Sequence, residues 1–241
     1  MMSLSRRVSW VAVSVLAIVV AGCCDSDIPL GVREGASVGP AAVAFGSSGS
    51  FGVIAADTVT NTGTTTITGD LGVSPGTVVL GSPTVSGTIQ AGNATSAAAQ
   101  TAVTAAVNDI LSRTGAIVVS GDLAGRTISP GIYSSTSSLV NSGTVTLNAL
   151  GHPDAYFIIT TATGLTTAAN SQIELTGGAQ ASHVIWLVGT SANLGANSDF
   201  KGTILSNGDI TLGTGATLAG RAIARPPNGT VVLDSNTIVA Q

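Results

Sequence analysis

Charged side chains make up only 8% of this chain and aromatic ones 3%, with two Trp, two Tyr and four Phe. So few rings cannot anchor a conventional sandwich or barrel core. The interior must be Val, Ile, Leu and Ala in thin layers, which suits a solenoid whose rungs stack on one another. Basic residues are fewer still. Once a leader carrying Arg6 and Arg7 is removed, Arg33, Arg113, Arg126, Lys201, Arg221 and Arg225 face twelve acidic residues. The mature charge is then near −6 with no basic cluster, so nucleic acid is excluded as a partner. Cys23 and Cys24 are the only cysteines, and His152 and His183 the only histidines. No His/Cys/Asp group has ligand spacing, so neither a metal nor a cofactor is expected. Gly is frequent without a Gly-X-Y period, which excludes collagen, and a mean hydropathy of +0.50 argues against disorder.

What is present begins with an export signal. Arg6 and Arg7 precede an apolar stretch, Val8 to Ala21, too short to span a bilayer comfortably. It ends Val20-Ala21-Gly22-Cys23, which resembles a bacterial lipobox with Cys23 as the acylated first residue. Residues 1–22 are therefore expected to be a lipoprotein signal peptide and 23–40 a lipid-anchored flexible tether. The folded domain is expected over 41–241. One lipid site anchors to a membrane without spanning it, at the cell envelope or with later release outside.

From Phe51 the chain runs in short phrases of Thr, Ser, Gly and Asn with one aliphatic between, such as Thr58-Val59-Thr60-Asn61-Thr62-Gly63 and Ile210-Thr211-Leu212-Gly213. Each puts a buried aliphatic on one side of a strand and a small hydroxyl residue on the other. One segment departs from this. Asn93 to Arg113 is Ala-rich, with Ala99, Val103, Ala106, Val107 and Ile110 at helical spacing. Asn93 is placed as N-cap and Gly115 as a C′ glycine, giving a helix over about 93–113, about 30 Å long at 1.5 Å per residue. A divergent repeat flanks it: Thr68-Gly69-Asp70-Leu71 before Ser74-Pro75-Gly76, and Ser120-Gly121-Asp122-Leu123 before Ser129-Pro130-Gly131. Asp70 and Asp122 read as turn residues capping local N–H groups, not as calcium or catalytic ligands.

The later phrases sort into three sets. Tyr156–Ile159, Val184–Val188, Thr203–Leu205 and Ala222–Ala224 are apolar on both sides, so something must cover them, and the helix is the obvious cover. Leu165-Thr166-Thr167, Ala192-Asn193-Leu194, Ile210-Thr211-Leu212 and Val231-Val232-Leu233 alternate cleanly. The phrases around Glu174 and Lys201 carry the charges. Three such columns make an all-β solenoid of triangular section with one long helix alongside.

The ordered phrases Ser50-Phe51-Gly52-Val53-Ile54-Ala55-Ala56, Thr68-Gly69-Asp70-Leu71-Gly72-Val73, Ser129-Pro130-Gly131-Ile132-Tyr133, Asp154-Ala155-Tyr156-Phe157-Ile158, Val184-Ile185-Trp186-Leu187-Val188 and Gly220-Arg221-Ala222 resemble the bacterial and fungal ice-binding proteins of single-domain β-solenoid type. The resemblance covers about residues 41–241. It implies a right-handed, discontinuous β-helix of triangular section with a helix beside it, and adsorption to an ice crystal surface through a flat face. It also implies motifs like Thr-(Ala/Gly)-X-(Thr/Asn), matched by Thr62-Gly63-Thr64-Thr65, Thr167-Ala168-Ala169-Asn170 and Thr214-Gly215-Ala216-Thr217.

By elimination, the alternating column is the face to expect: Thr58, Thr60, Thr62, Thr166, Asn193, Thr211 and Thr214, with Ser138 and Thr230, and only Asp209 as a nearby charge. Taken singly, an outward Thr is also just a good strand residue. Two other functions fit a solenoid. An enzyme needs paired carboxylates in a groove, but the acids here are dispersed, mostly at turns, and no catalytic residue is assigned. An envelope adhesin or polysaccharide binder remains the alternative, although Trp186 lies in the doubly apolar set and Trp10 in the leader, leaving no aromatic platform. A monomer is expected.

Overall fold

The computed structural model describes residues 38–241. The signal peptide, Cys23 and the tether up to residue 37 lie outside the described residues. The compact unit is Ser37–Gln241, so packing starts slightly before the expected residue 41. Residues 38–40 already lie on the solenoid: a Cβ at Gly39 would meet Pro130 Cβ at 2.9 Å.

Three parallel sheets form the walls of a triangular prism, of nine, eight and eight strands. The first face runs Ile89–Ala91, Asp70–Val73, Phe51–Ala55, Ala222–Ala224, Thr203–Ser206, Val184–Val188, Phe157–Thr161, Gly131–Ser135, Ile117–Val118. The second runs Val78–Leu80, Thr58–Thr62, Val231–Asp234, Ile210–Leu212, Ala192–Leu194, Leu165–Thr167, Leu139–Asn141, Gly121–Asp122. The third runs from Thr84–Val85 through Thr66–Thr68, Thr237–Val239, Thr217–Ala219, Asp199–Lys201, Gln172–Thr176 and Thr144–Asn148 to Thr127–Ile128.

The strand order is not the chain order. The chain starts mid-prism at Phe51, winds outward to Ala91 and crosses to the opposite end. From Ile117 it winds back until Ala222–Val239 docks beneath Phe51–Thr68. At that joint Val53 pairs with Ala222, Thr60 with Val232 and Thr66 with Thr237. The crossing is made by the helix, Ala94–Ser112, which at 1.5 Å per residue covers about 28 Å. Nine strands about 4.8 Å apart span about 38 Å, and the short segments at either end of the helix supply the rest.

The helix begins as expected. Asn93 and Ser96 form a reciprocal capping box. Its end differs: Arg113 is the C-cap in extended conformation, and Gly115, at φ +80, lies two residues beyond. The Arg113 backbone N–H closes the last turn on Ile110 O at 3.2 Å, while its guanidinium donates to Ala41 O and Ala42 O and pairs with Asp109 at 2.6 Å, tying the helix end to the segment before the solenoid. Its apolar stripe Ala99, Val103, Ala106, Val107 and Ile110 packs on Phe51, Ile54, Ile158, Ile185, Leu205 and Ile223 of the first face. The doubly apolar strands are covered for this reason.

Inside the prism the rungs stack aliphatic on aliphatic. Along one inward line of the first face, Leu71, Val53, Ala222, Ile204, Trp186 and Ile159 are each at most 2% exposed. Trp186 satisfies its indole N–H at Lys201 O, 3.0 Å away, as a buried Trp must. The sequence repeat around Asp70 and Asp122 is not a structural repeat. Asp70 begins a first-face strand whereas Asp122 lies on the second face, so the similarity reflects turn chemistry at different corners. Only Asp122 caps locally, accepting from Ala124 N at 3.0 Å; Asp70 instead accepts from Thr88 N of the neighbouring rung at 2.8 Å.

Candidate functional site

Because side chains alternate along a strand, the second face sends one residue per rung outward along its midline. The register makes that line Leu80, Thr60, Val232, Thr211, Asn193, Thr166, Val140 and Asp122. Four expected residues, Thr60, Thr166, Asn193 and Thr211, therefore share one line, rung above rung, about 4.8 Å apart. Among the described residues no protein group accepts from the hydroxyls of Thr60, Thr166 or Thr211. Their flanking residues, such as Val59, Leu165 and Ile210, are buried, which fixes the backbone beneath. β-Branching then fixes χ1. The result is a rigid row of methyls and free hydroxyls. Val232 and Val140 interrupt its chemistry without breaking its flatness, since Val has the outline of Thr.

The other expected residues are placed less favourably. Thr58 and Thr230 stand next to each other one line over, at the positions before the paired residues Val59 and Val231. Ser138, immediately before Leu139, extends the same line further along. Thr230 Oγ1 donates to Asp209 Oδ1 at 2.8 Å and Thr58 Oγ1 to Asp57 Oδ2 at 3.3 Å. Thr62 and Thr214 lie at the corner towards the third face, where Thr62 Oγ1 donates to Leu233 O at 3.2 Å and Thr214 to the Asp234 carboxylate. Their hydroxyls are committed to the protein.

The Thr-(Ala/Gly)-X-(Thr/Asn) motifs fall at this corner, not on the flat face. Five of the rungs turn here through a left-handed residue at φ +55 to +73: Asn170, Asn197, Gly215, Ser235 and Gly63. Asn and Gly tolerate that conformation, and rung-to-rung hydrogen bonds such as Asn170 N to Ala196 O continue through the turn. Thr167 and Thr65 are buried, accepting from Gly195 N and Asn236 N. The motif is the corner's own chemistry.

The face carries more charge than Asp209 alone. Asp122 ends the midline, Asp234 is the register partner of Thr62, and Asp57 lies at the near corner. The Ser142 hydroxyl, with the Ala124 and Ser142 N–H groups, holds the Asp122 carboxyl down to about 2. The Thr214 hydroxyl likewise lowers Asp234. The long-range pairing of residues near the chain's two ends hides a second line from sequence. On the third face Thr84, Thr66, Thr237 and Thr217 stand in register, followed by Asp199, Gln172 and Thr144. An adjacent line brings Lys201 and Glu174, and Lys201 pairs with Asp199 at 2.6 Å, so two neighbouring rungs of this face are ionic.

Elsewhere, His183 places Nδ1 2.9 Å from Pro153 O and stacks on Tyr156 with centroids 4.4 Å apart, a packing arrangement. Among the described residues no three His, Cys, Asp or Glu side chains converge, and no helix is long and apolar enough to cross a membrane.

A three-sided parallel solenoid with a capped helix on one wall and a hydroxyl-lined flat wall on another defines a class of protein that binds extended surfaces. The comparisons narrow it. The chain belongs to the Ice-binding-like family, whose model matches residues 53–239. It is 42% identical over 198 residues to an ice-binding protein of Nostoc sp. (strain HG1), covering 80% of this chain and 72% of that one. To an ice-binding protein of Colwellia sp. it is 30% identical over 222 residues, covering 85% and 86%. Among solved structures it is similar to an ice-binding protein from an Antarctic biological consortium, with TM-score 0.82 and 44% identity over 85% of this chain and 93% of that one. The ice-binding protein of the Antarctic ascomycete Antarctomyces psychrotrophicus follows, with TM-score 0.77 and 33% identity over 83% and 98%.

Proposed function

We propose that this protein binds ice through the second face and is not an enzyme. The observation that carries the reading is the midline Thr60, Thr211, Asn193 and Thr166, whose Thr hydroxyls are free and whose spacing is set by the rungs. Methyls constrain the adjacent water while hydroxyls hydrogen-bond to it, and the ordered layer freezes onto the crystal. Each contact is weak, but a rigid wall sums many without an ordering cost. The third face is the poorer candidate because Asp199, Lys201 and Glu174 hold ionic hydration shells. Thr58, Ser138 and Thr230 widen the strip, and Thr62 and Thr214 bound it. One molecule carries a complete face, so a monomer suffices. The outcome is inhibited ice growth and recrystallisation, or attachment of a cell to ice.

The second possibility follows from the leader. Export with acylation at Cys23 would hold the domain at the cell envelope through a lipid, with residues 24–36 between lipid and domain. Labelled fatty acid should enter the wild-type protein and not a Cys23→Ser variant; equal labelling would remove the anchor. For ice itself, the Ser37–Gln241 unit, fluorescently labelled, should be enriched in a slowly growing ice hemisphere. Exclusion of the folded unit to the same extent as a charge-matched soluble protein run beside it would refute ice binding and leave an envelope adhesin.

A further inference from the structure

The inward line of the first face does not end with the prism. It starts at Ile89, which pairs with Leu71, and finishes at Ile117, which pairs with Tyr133. The buried members between Leu71 and Ile159 are at most 2% exposed, but Ile89 is 51% and Ile117 56% exposed. Both are core side chains pointing into the prism with no rung over them. The end strands are terminal in all three sheets: Ile89–Ala91 and Ile117–Val118 in the first, Val78–Leu80 and Gly121–Asp122 in the second, Thr84–Val85 and Thr127–Ile128 in the third. Terminal strands present unpaired backbone N–H and C=O groups, a template for another strand. Residues 74–92 carry no charge at all, while the opposite end rung, 117–128, carries one acid and one base, Asp122 and Arg126.

We propose that copies of this chain associate end to end, the rung 78–91 of one molecule stacking on the rung 117–128 of the next. Every strand pairing within the prism is parallel, so translation along the axis pairs the terminal strands of all three sheets at once. It also sets Ile89 on Ile117. The molecule already contains a joint of this kind. Residues 51–68 rest on 222–239, two solenoid pieces far apart in sequence, joined by parallel pairing and core stacking and further tied by Thr62 Oγ1 to Leu233 O, Asn236 N to Thr65 Oγ1 and the covering helix. The contact is heterologous and does not close, so it extends the walls, including the second face, from copy to copy. Each end rung offers fewer than the roughly 20–30 residues of a standard interface. The association is accordingly weak and concentration-dependent, leaving monomers in dilute solution.

Sedimentation equilibrium of the Ser37–Gln241 unit over a wide concentration range tests this, with Ile89→Lys and Ile117→Lys made separately and their folding checked by circular dichroism. Each site is half exposed, so both variants should fold. Wild type should show a mean mass rising past that of a dimer. Each variant alone should stay monomeric, and an equimolar mixture should stop at dimers, because each variant keeps the end the other lacks. A wild type that remains monomeric at every concentration overturns the proposal. So does either variant that dimerises alone, or a mixture that stays monomeric. Should Ile89→Lys fail to fold, the milder Ile89→Gln at the same inward position replaces it.

Discussion

At the scale of single residues, what separates candidates on the second face is whether a hydroxyl is spoken for. Thr60, Thr166 and Thr211 keep theirs for water, whereas Thr214 and Thr230 give theirs to Asp234 and Asp209. Thr214→Val should therefore change ice affinity less than Thr166→Val, measured by partitioning into ice. Asp122 makes a separate prediction. Its folded pKa of about 2 lies below the roughly 3.9 of an unfolded Asp. The stabilisation from its hydrogen bonds is thus present above about pH 4 and lost as pH falls through about 2. A carboxyl-carbon NMR titration should place the midpoint near 2, and a midpoint near the ordinary 3.8 would remove those bonds. Backbone demands are equally local. Gly220 has φ +149, and a Cβ there would stand 2.1 Å from Gly202 O. Gly220→Ala should cost at least the about 1–3 kcal/mol of a strained residue, read by urea unfolding.

At the scale of elements, the helix links the two halves of the fold. Ile110 is 3% exposed between helix and first face, and Ile110→Ala should cost about 2–5 kcal/mol in denaturant unfolding. Asn93→Ala removes the capping box at about 1 kcal/mol. Much of this level was legible in sequence. Helical spacing from Ala99 to Ile110 stood out against the strand phrases, and Val184–Val188 announced a strand covered on both sides. The alternating phrases around Thr166, Asn193 and Thr211 gathered on one wall because each aliphatic neighbour must point inward. What was hidden has a physical cause. Gly115 looked like a helix cap, but a distant backbone supplied acceptors for Arg113. The third-face line of Thr84, Thr66, Thr237 and Thr217 depends on pairing Thr66 with Thr237, a register between residues far apart in the chain. The Thr-Ala-Ala-Asn phrase resembled a surface motif, while the left-handed φ at Asn170 makes it a corner.

At the scale of the whole molecule, three walls of one prism differ in what they present: a face covered by the helix, a face of free threonine hydroxyls, and a face with ion pairs. The charges are kept from the second face's central run of Thr211, Asn193 and Thr166, with Asp122 at its far end and Asp209 and Asp234 off the line. Acidification to about pH 4 should leave ice affinity unchanged as far as Asp122 is concerned, since its hydrogen bonds hold its carboxyl down to about 2 and keep it ionised there. Stacking of copies would lengthen this wall without altering it.

The measurement that tests the central claim most directly is ice partitioning of three folded forms of the Ser37–Gln241 unit. These are wild type, Thr166→Tyr/Thr211→Tyr on the second face, and Thr66→Tyr/Thr237→Tyr on the third. The account predicts enrichment of wild type and of the third-face variant, with the second-face variant losing about tenfold in affinity, about 1.4 kcal/mol. Retained affinity in the second-face variant, with loss in the third-face one, would contradict it and move the ice-binding surface to the third wall.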